Sequence, residues 1–325
     1  MKSAQCVLVG LFISILRSML LAQSVIATIP LTNYPYDIAV NPKTNAVYVV
    51  CLANTVAVID GNLNRVVKNI AVGNVPVDAA VNSNTNRIYV ANNADNKITV
   101  IDGSRNQVIT NVTLWNKKDI ALERVAVNRV TNQIYAISED QNIPHHLFVI
   151  GGSNNKVTAK LDVSDPLGLG VNSVTNQIFV TTKSLTGDNV FVFDGATNTI
   201  GHSFRAPSFS NEFEVVVDEV NNRLFLVDSL AGQVLAVDPA TGALLGSTGG
   251  FLFLWGLDLL PNQGLGVVSD DRQNNVSYFD TTTFDLLKTV TVGNNPEGLA
   301  VNQHTGRVYV ANGSDKTVSV LSAPQ

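Results

Sequence analysis

The chain has 325 residues, of which 45% are hydrophobic and 14% charged. That balance excludes a disordered chain and supplies enough apolar surface for a sizeable core. The net charge is -5 and no stretch clusters Lys and Arg, so the electrostatic footprint of a nucleic-acid binder is missing.

The first 22 residues differ from the rest. Lys2 precedes an apolar run over 7–16, Arg17 interrupts it, and a second apolar patch ends at Ala22. This pattern predicts a secretory signal peptide over 1–22, with cleavage after Ala22 and retention as an anchor as the alternative. A membrane span needs about 20 uninterrupted apolar residues, which Arg17 prevents. Cleavage would remove Lys2, Arg17 and Cys6, leaving 19 basic and 26 acidic residues, a net charge of -7 and Cys51 alone. A single cysteine forms no internal disulfide.

From residue 23 onward one phrase recurs. It reads VNPKTNAVYV at 40–49, VNSNTNRIYVAN at 81–92 and VNQHTGRVYVAN at 301–312. Aligned on the apolar residue before the turn, the anchors are Val40, Val81, Val127, Val171, Val217, Leu259 and Val301, spaced by 41, 46, 44, 46, 42 and 42 residues. Periods of this length mark solenoids or propellers. Each unit reads as four strands. An apolar run leads through an N-x-x-T-N turn into a second strand such as RIYV at 87–90. A variable polar loop follows, then a strand ending in Asp, a second turn and a fourth strand. Asn, Asp and Gly suit these turns because they tolerate left-handed backbone and bond nearby amides. The strands are apolar on both alternating sets of positions, which requires cover on both faces. Blades packed between neighbours around an axis supply it. The fold class predicted is therefore all-β, a seven-bladed β-propeller over 23–325.

Two further expectations follow. The aromatic series Tyr48, Tyr89, Tyr135, Phe179, Phe225 and Tyr309, broken by Val267, should fill the interfaces between blades. The last unit ends after its third strand, while SVIATIPLTNYP near the start matches fourth-strand phrases such as VVKNIAVGNVP. Residues 25–31 should thus complete the seventh blade and close the ring, removing an edge open to aggregation. Asp60, Asp102, Asp194, Asp238 and Asp280 recur before a turn in blade after blade, which reads as turn capping rather than catalysis.

The phrases RIYVAN, TVAVID, KITVID and VGNNPEGLAVN resemble the YVTN-type β-propeller repeat over about residues 24–325. Gly151 and Asp218 depart from its usual Asp and Asn, and the sixth turn, LPNQGLG, is shorter. The resemblance implies a surface or extracytoplasmic interaction protein.

A propeller binds at the mouth of its channel, where fourth-to-first crossovers and second-to-third loops meet. Register places Asp37, Asp78, Glu123, Arg124, Glu214 and Glu297 at that mouth, with Trp255 and Phe213 on crossovers. His145 and His146 lie in the longest second-to-third loop. Loop variation on a rigid scaffold is where specificity resides. The first functional reading is a non-enzymatic, exported, monomeric scaffold binding protein or glycan partners at the cell envelope, without cofactor. The second is a metal-dependent hydrolase or lactonase. There Asp37, Asp78 and Glu214, joined by Glu123 and Glu297, hold a divalent cation through oxygen ligands. It resembles the acidic mouth of gluconolactonase-type propellers. The third is a redox propeller with haem or quinone, suggested by the paired His and by resemblance to the haem propeller of nitrite reductases. It lacks any C-x-x-C-H attachment motif. No G-x-S-x-G, H-E-x-x-H, P-loop or dinucleotide motif is present.

Overall fold

The computed structural model describes residues 23–115, 121–139, 145–183, 189–207 and 213–324. The expected signal peptide lies outside them. The described residues form 28 strands, β1 to β28 in chain order, and two single-turn 3-10 helices. The strands make seven four-stranded antiparallel sheets, the seven expected blades. The innermost strands are β2 (Pro35–Asn41), β6 (Pro76–Asn82), β10 (Ala121–Asn128), β14 (Pro166–Asn172), β18 (Phe213–Asp218), β22 (Leu254–Leu260) and β26 (Pro296–Val301). Ring closure is as expected: β1 (Val25–Pro30) pairs with β28 (Thr317–Leu321) as the outer strand of the last blade, in the order β1-β28-β27-β26.

Turn chemistry explains the repeated Asn. The last Asn of the N-x-x-T-N turn sits at positive φ, as at Asn45, Asn86, Asn132, Asn176 and Asn222, where Asn carries little strain. The first Asn caps its own turn: Asn41 Oδ1 accepts from the Lys43 amide at 3.0 Å. Its Nδ2 then donates to the positive-φ Asn of the next blade. The pairs are Asn41–Asn86 at 2.8 Å, Asn82–Asn132 at 2.8 Å, Asn128–Asn176 at 2.8 Å and Asn172–Asn222 at 3.2 Å. The recurring Asp residues cap the second hairpin. Asp60, Asp194, Asp238 and Asp280 each accept from two following backbone amides, and Asp102 from the amide and hydroxyl of Ser104.

The core lies between blades rather than within them. Seven apolar clusters each join one blade to the next, and each contains one fully buried aromatic of the register or its substitute. Tyr89 serves the second and third blades and Tyr309 the seventh and first. Where Val267 breaks the series, Tyr278, directly opposite it on the neighbouring strand, fills the interface. Free Cys51 is buried in the cluster that closes the ring.

Candidate functional site

Three residues before each anchor, the inner strands present a ring of seven positions to the channel: Asp37, Asp78, Arg124, Gly168, Glu214, Gly256 and Gly298. Six of the seven inner strands carry a register irregularity at this level, which interrupts the simple alternation of side chains, so that consecutive residues such as Tyr36 and Asp37, or Trp255 and Gly256, both line the narrow channel. The glycines make room: a Cβ on Gly298 would lie 2.6 Å from Asp37 Oδ1.

The ring carboxylates tie blade to blade. Asp37 accepts from the Ala79 amide at 3.1 Å and Asp78 from the Val125 amide at 2.6 Å. Glu214 accepts from the Leu257 amide. Asp258, one tier deeper, accepts from its neighbour Leu259 at 2.7 Å and from Val301 of the next blade at 2.8 Å. Burial, which disfavours charge, dominates their titration. It pushes Glu214 up to about 7 and Asp258 up to about 6. Burial and the adjacent Asp78 hold Asp37 well above the usual carboxylate range.

Arg124 is the cation of this ring. Burial works against its charge, but the neighbouring Asp78 and Glu214 outweigh burial and keep it protonated. Its hydrogen bonding is sparse. Nη1 donates to the Glu123 carbonyl at 3.5 Å, Nε is buried without a partner, and no carboxylate among the described residues lies within 4.0 Å.

The five acidic residues assigned to the mouth do not share one surface. Glu123 and Glu297 stand one residue earlier in their strands, at the level of Tyr36 and Trp255 rather than in the ring. Glu123 accepts from Asn93 Nδ2 at 3.1 Å, near the Lys183–Glu139 ion pair. Glu297 is buried, accepts from the Tyr34 hydroxyl at 2.6 Å, and is pushed up to about 7 chiefly by burial. Among the described residues no three His, Cys, Asp or Glu side chains are placed to hold a metal ion together, and the Arg124 guanidinium is the charge facing Asp37, Asp78 and Glu214.

The histidines also diverge. His145 Nδ1 accepts from the Asp165 amide at 2.9 Å. His146 is 2% exposed, packed edge-on against Trp115 and Phe148, with Nδ1 3.0 Å from Asp162. Burial and then Lys160 lower its pKa, so it is a neutral core residue rather than a face residue.

On the crossover face, Trp255 meets Tyr36 edge-on at 5.5 Å and Phe253 at 6.1 Å, and Arg272 lies 5.2 Å over the Phe253 ring. Leu252 beside them is 57% exposed. Below this ledge the channel narrows to about 20 Å³ between Tyr36, Trp255 and the ring. Past the ring it widens to a cavity of about 560 Å³, walled by residues such as Val40, Val127, Val217 and Val301 and rimmed by turn residues including Pro42, Ser83, Arg129, Asn262 and Gln303. The roomy mouth is therefore on the first-to-second turn face, opposite the one expected.

Register reasoning missed Asp258 and Tyr36. Asp258 had a signal: it is the one charged residue at a position held by Ala39, Ala80, Ala126, Gly170, Val216 and Ala300 in the other blades.

The fold and site define a seven-bladed β-propeller with a charged ring across its channel. No family model matches the chain, and no curated protein matches it. Among solved structures it is similar to Kuenenia stuttgartiensis hydrazine synthase, at 14% identity and TM-score 0.77, covering 88% of this chain and 94% of that one. It is also similar to the Cps50 (Swd1) β-propeller domain of Myceliophteria thermophila, at 9% identity and TM-score 0.77, covering 93% and 99%. At such identities the likeness is one of fold. Among the described residues no helix is long and apolar enough to cross a membrane.

Proposed function

We propose that this protein is an exported binding scaffold of the cell envelope that engages a protein or glycan partner with its crossover face. The observation that carries the reading is the ledge of Tyr36, Trp255 and Phe253. It is a row of half-buried aromatics on rigid strand ends, bordered by Arg272, exposed Leu252 and the polar group Asn93, Glu123, Glu139 and Lys183. Aromatics with a charged rim are the composition of binding hot spots. The YVTN-type phrases and the signal-like segment 1–22 support an extracytoplasmic setting.

The test is binding of the purified protein to envelope polysaccharide and envelope protein fractions by surface plasmon resonance. A Trp255→Ala, Phe253→Ala variant should bind at least tenfold more weakly, while Val220→Ala on the opposite face should bind as the unaltered protein does. Equal binding by the double variant would overturn the reading.

A further inference from the structure

The channel cavity lies on the other side of the ring from the aromatic ledge, so its role is separate from the proposed function. Its size, about 560 Å³, falls within the usual range for a small-molecule site. Small residues Ala39, Ala126, Gly170 and Ala300 hold it open, and Val and Leu side chains give it dry walls. Its rim carries the Arg129–Glu219 ion pair, and at its inner end Arg124 is the one cation facing Asp37, Asp78 and Glu214, none of which lies within 4.0 Å of it. Arg124 stands on the third blade with its N–H donors almost unused and Nε buried without an acceptor. Glu214 and Asp258 stand on the adjacent fifth and sixth blades; Glu214 feels the charge of Arg124 and, more weakly, of Asp258, and among the described residues neither acid lies within 4.0 Å of a cation.

Such an end is incomplete by itself. A buried guanidinium donates five N–H groups and binds a carboxylate with two of them. A pair of acidic groups with no cation in contact is complemented by an ammonium. A ligand carrying only one of these charges would leave the other end unmatched once it fills the channel, which costs affinity. The ring and Asp258 are two residues apart along the strand, roughly 7 Å, a span that a small molecule bridges.

We propose that the channel is a binding site for a small zwitterion of the amino-acid type, entering from the first-to-second turn face. Its carboxylate meets Arg124, its ammonium meets Glu214 and Asp258, and its apolar side chain lies against the Val and Leu walls.

The test is isothermal titration calorimetry of the purified protein at pH 7 with L-leucine, L-phenylalanine and 6-aminohexanoate. Two half-ligands complete the set: 3-methylbutylamine, which keeps only the ammonium, and 4-methylpentanoate, which keeps only the carboxylate. At least one zwitterion should bind tenfold or more tightly than both half-ligands. Arg124→Met should abolish the advantage over the amine, and Asp258→Asn the advantage over the acid. Ile109→Ala, exposed on an outer strand away from the channel, should leave zwitterion binding unchanged. Binding of the amine as tight as that of every zwitterion would reduce the site to an acidic patch and overturn the proposal. So would absence of binding by all three zwitterions. The half-ligand comparison uses the unaltered protein, so it decides the matter even if a variant does not fold.

Discussion

Asn302 Nδ2 donates to Asn45 Oδ1 at 2.6 Å, joining residues 257 apart in the chain. This bond repeats, between the seventh blade and the first, the Asn–Asn contact made between successive earlier blades. The phrase recurs because each of the first four copies supplies half of two junctions, a donor to the next blade and a positive-φ acceptor to the previous one, while the fifth keeps only the acceptor and the seventh only the donor. Asn302 is fully buried, so losing its partner leaves an amide unsatisfied. Asn302→Ala should destabilise by about 1–3 kcal/mol. Asn45→Gly keeps the left-handed backbone but removes the acceptor. In a double-mutant cycle by urea unfolding, the two changes should couple by about 1 kcal/mol. Simple additivity would show that the pair carries no junction energy.

Ring closure rests on β1. Its Ile29 is 2% exposed within the cluster that joins the last blade to the first, and β1 covers the edge of β28 along the register Thr28–Ser319 to Pro30–Thr317. Deleting residues 24–31 opens both the cluster and the edge, so the variant should melt well below the full chain and scatter light on warming. An unchanged melting temperature would mean the strand is dispensable.

The blade count, the closing strand and most of the ring were legible because strand register is discrete: an anchor fixes which side chains share a face. Glu123 and Glu297 were misgrouped because they sit at the irregularity at the start of the inner strands, where an extra residue interrupts the alternation that register reasoning relies on. The direction in which the cavity opens was not legible. It depends on how closely Tyr36 and Trp255 approach across the ring, a distance set by all seven blades together. His146 misled for a similar reason: its loop position suggested exposure, but the strand after the loop begins at that residue and carries it inward.

The broken aromatic series gives a further prediction. At the interface of the sixth and seventh blades, Tyr278 supplies from the third strand the bulk that Val267 lacks on the second. Tyr278→Ala should therefore cost about as much as Tyr89→Ala, some 3–5 kcal/mol each. Unfolding of the two variants side by side checks it. A Tyr278→Ala cost below about 1 kcal/mol, with Tyr89→Ala in the expected range, would show that Tyr278 is no substitute.

The channel carboxyls set a pH dependence. Glu214 and Asp258, raised to about 7 and about 6, and Asp37, also raised, hold protons in the folded protein that the unfolded chain has already released above about pH 4. Below that pH their contribution is constant, and it is lost as pH rises through the folded-state values, so stability should fall from about pH 4 to about pH 7. His146 acts in the opposite sense. Its pKa is lowered by burial, so it favours the folded state increasingly as pH rises toward neutrality. The unaltered protein shows the sum of these effects, and the informative quantity is a difference. Glu214→Gln keeps an acceptor for the Leu257 amide but cannot ionise, and it lies on another blade from His146. Between pH 4.5 and 7.5 the stability of Glu214→Gln relative to the unaltered protein should rise by about 1–3 kcal/mol, measured by urea unfolding at 1-unit intervals. Parallel stability curves for the two proteins would show that Glu214 titrates as an ordinary carboxylate and that burial in the channel does not hold its proton.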